Sequence, residues 1–123
     1  MKIHMGYASV SVAGDYYQVM FEEKVPNEEQ DSMDSKYLLI QRQFEFQDHD
    51  LIYVESHDQN YIGHFRVARA RLDAKSLFLV LDRKNAAVIE ITFETSAGNY
   101  AEVKRVMRIM IPNIEVQNEG QTC

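Results

Sequence analysis

Hydrophobic and polar residues alternate along most of this chain with a period of two, the mark of strands that bury one face. In VIEITFE, residues 88 to 94, Ile89, Ile91 and Phe93 alternate with Glu90, Thr92 and Glu94. QRQFEF, residues 41 to 46, does the same with Phe44 and Phe46 against Gln43 and Glu45. SLFLVLD, residues 76 to 82, is apolar at both parities and suits a central strand. Upstream, IHMGYASVSV and YYQVMFEE flank Ala13-Gly14-Asp15, a short glycine-containing connection that predicts a hairpin. Between residues 61 and 73 the alternation slips: Phe65 and Val67 share one parity, while Ala68, Ala70 and Leu72 share the other. A fixed register would turn its apolar side chains to the wrong face there, so a bulge or bend is predicted near Val67. LDAKS and DRKNA carry turn residues between strands.

Only the segment before Pro112 has helical spacing. Tyr100, Val103, Val106, Met107 and Met110 form one apolar stripe. Asn99, with Glu102 three residues on, has the order of an N-cap and capping box, and Lys104, Arg105 and Arg108 crowd the end that a helix dipole favours for cations. The fold class predicted is α+β: an antiparallel β-sheet of about seven strands with one C-terminal amphipathic helix packed on it. Residues 1–123 read as a single domain with a polar tail from about residue 113. KVPNEEQDSMDSK, residues 24 to 36, is a long polar loop.

Composition adds limits. A chain of 123 residues, 46% hydrophobic and 26% charged, has the size and balance of one folded domain. MKIHMGYASV lacks the apolar core of a signal peptide, and no run approaches the roughly 18 apolar residues of a membrane span, so a soluble, cytoplasmic protein with no membrane association is expected. The single cysteine, Cys123, allows neither an internal disulfide nor a cysteine-rich zinc site. Charge is distributed unevenly: residues 1 to 58 hold 12 acidic and 4 basic groups, residues 59 to 111 hold 5 acidic and 9 basic groups, and the whole chain carries −6. Either the two parts neutralise each other in the fold, or an acidic face steers a basic partner toward it.

The stretch DHDLIYVESHD, residues 48 to 58, concentrates the candidate chemistry. His49 and His57 stand at either end of a predicted strand, up to about 26 Å apart at about 3.3 Å per residue, too far to share a metal ion. Carboxylates are plentiful, but there is no glycine-rich phosphate loop, no G-x-S-x-G and no H-E-x-x-H, so no enzyme and no cofactor are expected. FRVARARL offers Arg69 and Arg71 to phosphates, yet the chain is acidic and lacks an aromatic-basic RNA-binding pattern, so nucleic acid is not the expected partner. A protein-binding module remains. Its predicted contact residues are Asp48, Asp50, Glu55 and Asp58, with Tyr53 as an aromatic anchor, joined by Glu28, Glu29 and Asp31 of the acidic loop in one negative lobe.

The succession YLLIQRQFEF, IYVESHDQNYIGHFRVARARL, LFLVLDR, IEITFE and a closing amphipathic helix, within residues 37 to 111, resembles the immunity protein family numbered ten of bacterial polymorphic toxin systems. The resemblance lies in the order of strand patterns and supplies no residue-level binding motif. It implies a small cytosolic protein that binds and neutralises a co-encoded toxin domain, often a nuclease. An acidic surface placed where a nuclease expects phosphate would suit that role. The alternative is a structural or adaptor module whose cytosolic partner has no toxic activity.

Overall fold

A computed structural model describes residues 1–23, 36–44 and 51–117 of the chain. They form β1 (Lys2–Met5), β2 (Tyr7–Ala13), β3 (Tyr16–Glu22), β4 (Tyr37–Gln43), β5 (Ile52–Ser56), β6 (Gly63–Phe65), β7 (Val67–Leu72), β8 (Ser76–Leu81), β9 (Val88–Phe93), α1 (Ala97–Met110) and β10 (Glu115–Val116). The class is α+β. The strands divide into two sheets of five, ordered β1-β9-β8-β7-β10 and β2-β3-β4-β5-β6, in place of the single sheet of about seven expected. Nor is the pairing wholly antiparallel, because β1 lies parallel to β9 and β10 parallel to β7.

Two corners account for the difference. Alternation runs on through MGY and through FRV, but the chain leaves one sheet for the other at Gly6, between β1 and β2, and at Arg66, between β6 and β7. Strands that bend from sheet to sheet in this way let one core be wrapped from two sides. Gly6 is required by space: a Cβ there would lie 2.9 Å from the Glu23 carbonyl oxygen. Immediately after Arg66, the β7–β8 register shifts between Val67 and Arg69, at the predicted place. The β2–β3 hairpin turns on Gly14 and Asp15, with Gly14 at φ +60°, the conformation a two-residue turn of this kind needs at its first position.

The inward faces meet in one core. Leu77, Leu79 and Leu81 of β8 and Ile89, Ile91 and Phe93 of β9 enter from the first sheet, and Val19, Phe21, Leu38, Ile40, Ile52 and Val54 from the second. The Phe21 and Phe93 rings, 5.1 Å apart, join the two. Of the stripe read from the sequence, helix α1 buries Val103, Val106, Met107 and Met110 completely, while Tyr100 packs half-buried against the same core. At about 1.5–3 kcal/mol for each such side chain, this face, more than intrinsic helix propensity, holds the helix in place.

The helix is fixed to the second sheet at both ends. Asn99 Nδ2 donates to the Ala8 carbonyl at 2.8 Å, and Arg42 Nη1 donates to the Met110 carbonyl at 2.8 Å, where a cation also meets the negative end of the helix dipole. The N-cap is Ser96, whose hydroxyl accepts from the Asn99 N–H, and not Asn99 itself. Asn99 is used for the tertiary contact, and Glu102 pairs with Arg105 instead of closing a capping box. Beyond Pro112 the described chain stays in the fold to residue 117: Ile114 is buried and the Gln117 N–H donates to the Leu72 carbonyl, so residues 113–117 are not the tail predicted there. Among the described residues no helix is long and apolar enough to cross a membrane.

Candidate interaction surface

The period of two that buries one face of the second sheet turns the other outward, where the side chains of β3, β4 and β5 are half-buried and Leu39 is buried. Val19 and Phe21 point inward from β3, so Tyr16, Gln18 and Met20 point out; Leu38 and Ile40 do the same for Tyr37, Leu39 and Gln41 of β4; Ile52, Val54 and Ser56 for Tyr53 and Glu55 of β5. Register then assembles these residues side by side. Gln18 faces Gln41, Gln41 faces Tyr53 and Tyr53 faces His64, while in the neighbouring row Met20 faces Leu39 and Leu39 faces Glu55. The result is a sheet face built of tyrosine, glutamine, methionine and histidine around one carboxylate.

Hydrogen bonds fix its side chains. Glu55 accepts from both flanking phenols, Tyr37 at 2.9 Å on Oε2 and Tyr53 at 2.9 Å on Oε1. Gln41 Nε2 donates to the Tyr16 hydroxyl at 2.6 Å and to Gln18 Oε1 at 3.1 Å, and the Tyr16 hydroxyl donates to Gln18 Oε1. The Tyr53 ring lies 5.2 Å from the His64 ring and the Tyr37 ring 6.4 Å from that of His57. Bonding to Glu55 raises the Tyr53 phenol above its ordinary value of 10.0, with burial second, whereas for Tyr37 burial comes first and the Glu55 bond adds to it. Both phenols therefore stay protonated at neutral pH and act as donors.

The predicted contact residues separate into three groups. Tyr53 and Glu55 lie at the centre of this face. Asp58 is half-buried and caps the turn at residues 59–61: its carboxylate accepts from the Asn60 N–H at 2.9 Å, and its own N–H donates to Ser56 Oγ at 3.0 Å. It holds the chain in shape. Asp48, Asp50, Glu28, Glu29 and Asp31 lie outside the described residues. The segments that hold them, residues 24–35 and 45–50, lie between β3 and β4 and between β4 and β5 in the sequence, so the single negative lobe expected of them also lies outside the described residues. Seven of the twelve acids of residues 1–58 belong to these two segments.

Tyr16, Gln18, Tyr37 and Gln41 were not singled out by the sequence pattern. Their shared parity with Met20 and Leu39 was visible, but the pairing of β3 with β4 across a long connection was not.

Other charged clusters are less concentrated. His4 Nδ1 lies 2.7 Å from the Thr92 hydroxyl and its Nε2 3.1 Å from Glu94, at the edge of a cleft of about 750 Å³. The His4 and Glu94 side chains are 57% and 76% exposed, so water competes for every bond in that relay. Arg71 stacks over Phe78 at 5.5 Å on the outer face of the first sheet, and Arg69 beside it is exposed. Among the described residues the pairs Lys2–Glu90 and His4–Glu94 join β1 to β9 and to the residue after it, each with its base on β1. Among the described residues no group of three or more His, Cys, Asp or Glu could hold a metal ion. No family model, curated protein or solved structure matches the chain.

Proposed function

We propose that this protein is a binding module that captures a second protein on the outer face of its second sheet, and that this partner is a co-encoded toxin domain which the module neutralises. The observation that carries the reading is the Tyr37–Glu55–Tyr53 clamp within a hydrogen-bonded face of β3, β4 and β5. Tyrosine and methionine are enriched at protein interfaces, tyrosine because it offers large contact area with a polar tip, and the one carboxylate at the centre, Glu55, is satisfied by two phenols instead of standing unpaired. Side chains already held in place lose less freedom on binding, which is where affinity is otherwise lost.

The acidic residues of 24–35 and 45–50, before and after β4 in the sequence, are the charge that this reading assigns to steering a basic partner. A partner that fits has an apolar and hydrogen-bonding centre with cations around it, and a nuclease domain, whose substrate is polyanionic, has such cations. Steering by the acidic segments raises the association rate, while the tyrosine face determines how long the complex lasts. This separates the parts played by the two kinds of residue.

Co-expression with the product of the adjacent open reading frame tests the reading. A toxic neighbour whose toxicity is relieved, with a stable complex recovered, is the expected result. A neighbour that binds without being toxic favours the adaptor alternative, and a neighbour that neither binds nor inhibits growth overturns the toxin assignment.

A further inference from the structure

Among the described residues four strands form the edges of the two sheets, and three carry features that discourage a further strand. β10 has 2 residues, β6 has 3 and starts at Gly63, and β1 carries Lys2 and His4. β2 differs: its 7 residues, YASVSVA, contain no charge, proline or glycine. The hairpin fixes which of its backbone groups face outward. In a two-residue hairpin the flanking pair, here Ala13 and Tyr16, exchange both backbone hydrogen bonds, so Ser11 and Ser9 also bond to β3 while Val12, Val10 and Ala8 turn their N–H and C=O to the open side. The Ala8 carbonyl agrees with this parity, since it accepts from Asn99 Nδ2 of the helix. Among the described residues no such partner meets the outward groups of Val10 or Val12.

We propose that this edge pairs with the same edge of a second copy, antiparallel about a two-fold axis at Ser11. The strand is nearly symmetric about that residue, with Val10 and Val12 on either side and the small Ser9 and Ala13 beyond. With Ser11 facing its own counterpart, Val10 of each copy faces Val12 of the other, and each such pair closes both of its backbone hydrogen bonds. Valines then line one face of the junction and serines the other, and no like charges oppose. Val12, 42% exposed in the single copy, gains cover. The helix marks the limit of the junction, because Asn99 already occupies Ala8. Pairing in this way joins two second sheets into one and sets two tyrosine faces side by side.

Sedimentation of the parent protein over a concentration series, together with variants at Ser11, tests the proposal. The parent should pass from monomer to dimer with concentration. Ser11 is exposed in the single copy, so Ser11→Lys should keep the parent's monomer melting temperature yet weaken self-association by at least about tenfold, because the two ammonium groups meet on the axis. In a Cys123→Ser background, Ser11→Cys should form an inter-chain disulfide under mild oxidation, since a non-hydrogen-bonded antiparallel pair has its Cα atoms about 4.5 Å apart, within disulfide range. Ser9→Cys, which faces Ala13, should not. A parent that stays monomeric throughout, a dimer indifferent to Ser11→Lys, or equal cross-linking from Ser9→Cys would each overturn it.

Discussion

Replacing Met107 with aspartate places a carboxylate at the centre of the surface that docks α1. Met107 is 0% exposed and shares the core with Val103, Val106 and Met110. Removing a buried methionine side chain costs about 2–5 kcal/mol through lost transfer energy and residual cavity. Burying the charge adds several kcal/mol more after relaxation, unless the carboxyl takes up a proton. The combined loss, at least about 3 kcal/mol, is a large part of the roughly 5–15 kcal/mol that keeps a domain folded. Protonation relieves the charge, so the folded-state pKa of the new carboxyl is raised. The deficit should therefore shrink as pH falls toward that pKa and be greatest at neutral pH. Met107→Leu, close in volume, should lose less than about 1.5 kcal/mol, and Arg108→Gln on the exposed side should stay within about 0.5 kcal/mol. Urea unfolding followed by circular dichroism measures all three. If Met107→Asp unfolds at the parent's midpoint, the helix is not docked by this stripe and the core described above is wrong.

Other perturbations probe the corner, the turn and the tyrosine clamp. Gly6→Ala drives a Cβ against the Glu23 carbonyl oxygen, at 2.9 Å from backbone that has little room to give, and should lower stability by about 1–3 kcal/mol; an unchanged melting temperature would show that the corner yields. Asp58→Ala removes the cap on the Asn60 N–H and should cost about 1 kcal/mol by thermal melting, whereas a purely solvated carboxylate would cost nothing measurable. Because the Tyr37 and Tyr53 phenols are raised above 10.0 in the folded protein, the stability they contribute is fully present below that value and is lost as pH rises through their folded pKa values. Ultraviolet titration should find two late-ionising tyrosines in the parent and their earlier ionisation in Glu55→Ala; identical titration curves would remove the clamp.

The elements that were legible in the sequence are those fixed by local pattern. Alternation in VIEITFE gives β9, two apolar parities give the central β8, Ala13-Gly14-Asp15 gives the hairpin, and the slip near Val67 gives the register shift. The i, i+3, i+7 stripe gives the buried face of α1. What was hidden depends on distant partners. A lone glycine at position 6 reads as part of one continuous strand, because only the Glu23 carbonyl makes it a corner. β1 reaches β9 across most of the chain, so no local signal marks that parallel pair. Ser96 and Asn99 both carry capping side chains, and the tertiary bond to Ala8 decides between them. At the candidate surface, DHDLIYVESHD drew notice through its acids, but the part that enters the clamp is Tyr53 and Glu55, completed by Tyr37 from a strand paired in space.

The central claim is that a partner protein docks on the tyrosine face, and surface-based kinetics against the product of the adjacent open reading frame tests it most directly. Three forms are compared at two ionic strengths: the parent, Tyr37→Ala/Tyr53→Ala, and a form with Asp48 and Asp50 changed to lysine. The tyrosine variant should remain folded, since both side chains are only half-buried, and should dissociate at least about tenfold faster, as expected for loss of aromatic anchors. The charge variant should lose association rate, most at low salt, with its dissociation rate little changed. A complex whose dissociation rate is untouched by removal of both tyrosines would contradict the account and move the interface off the outer face of the second sheet.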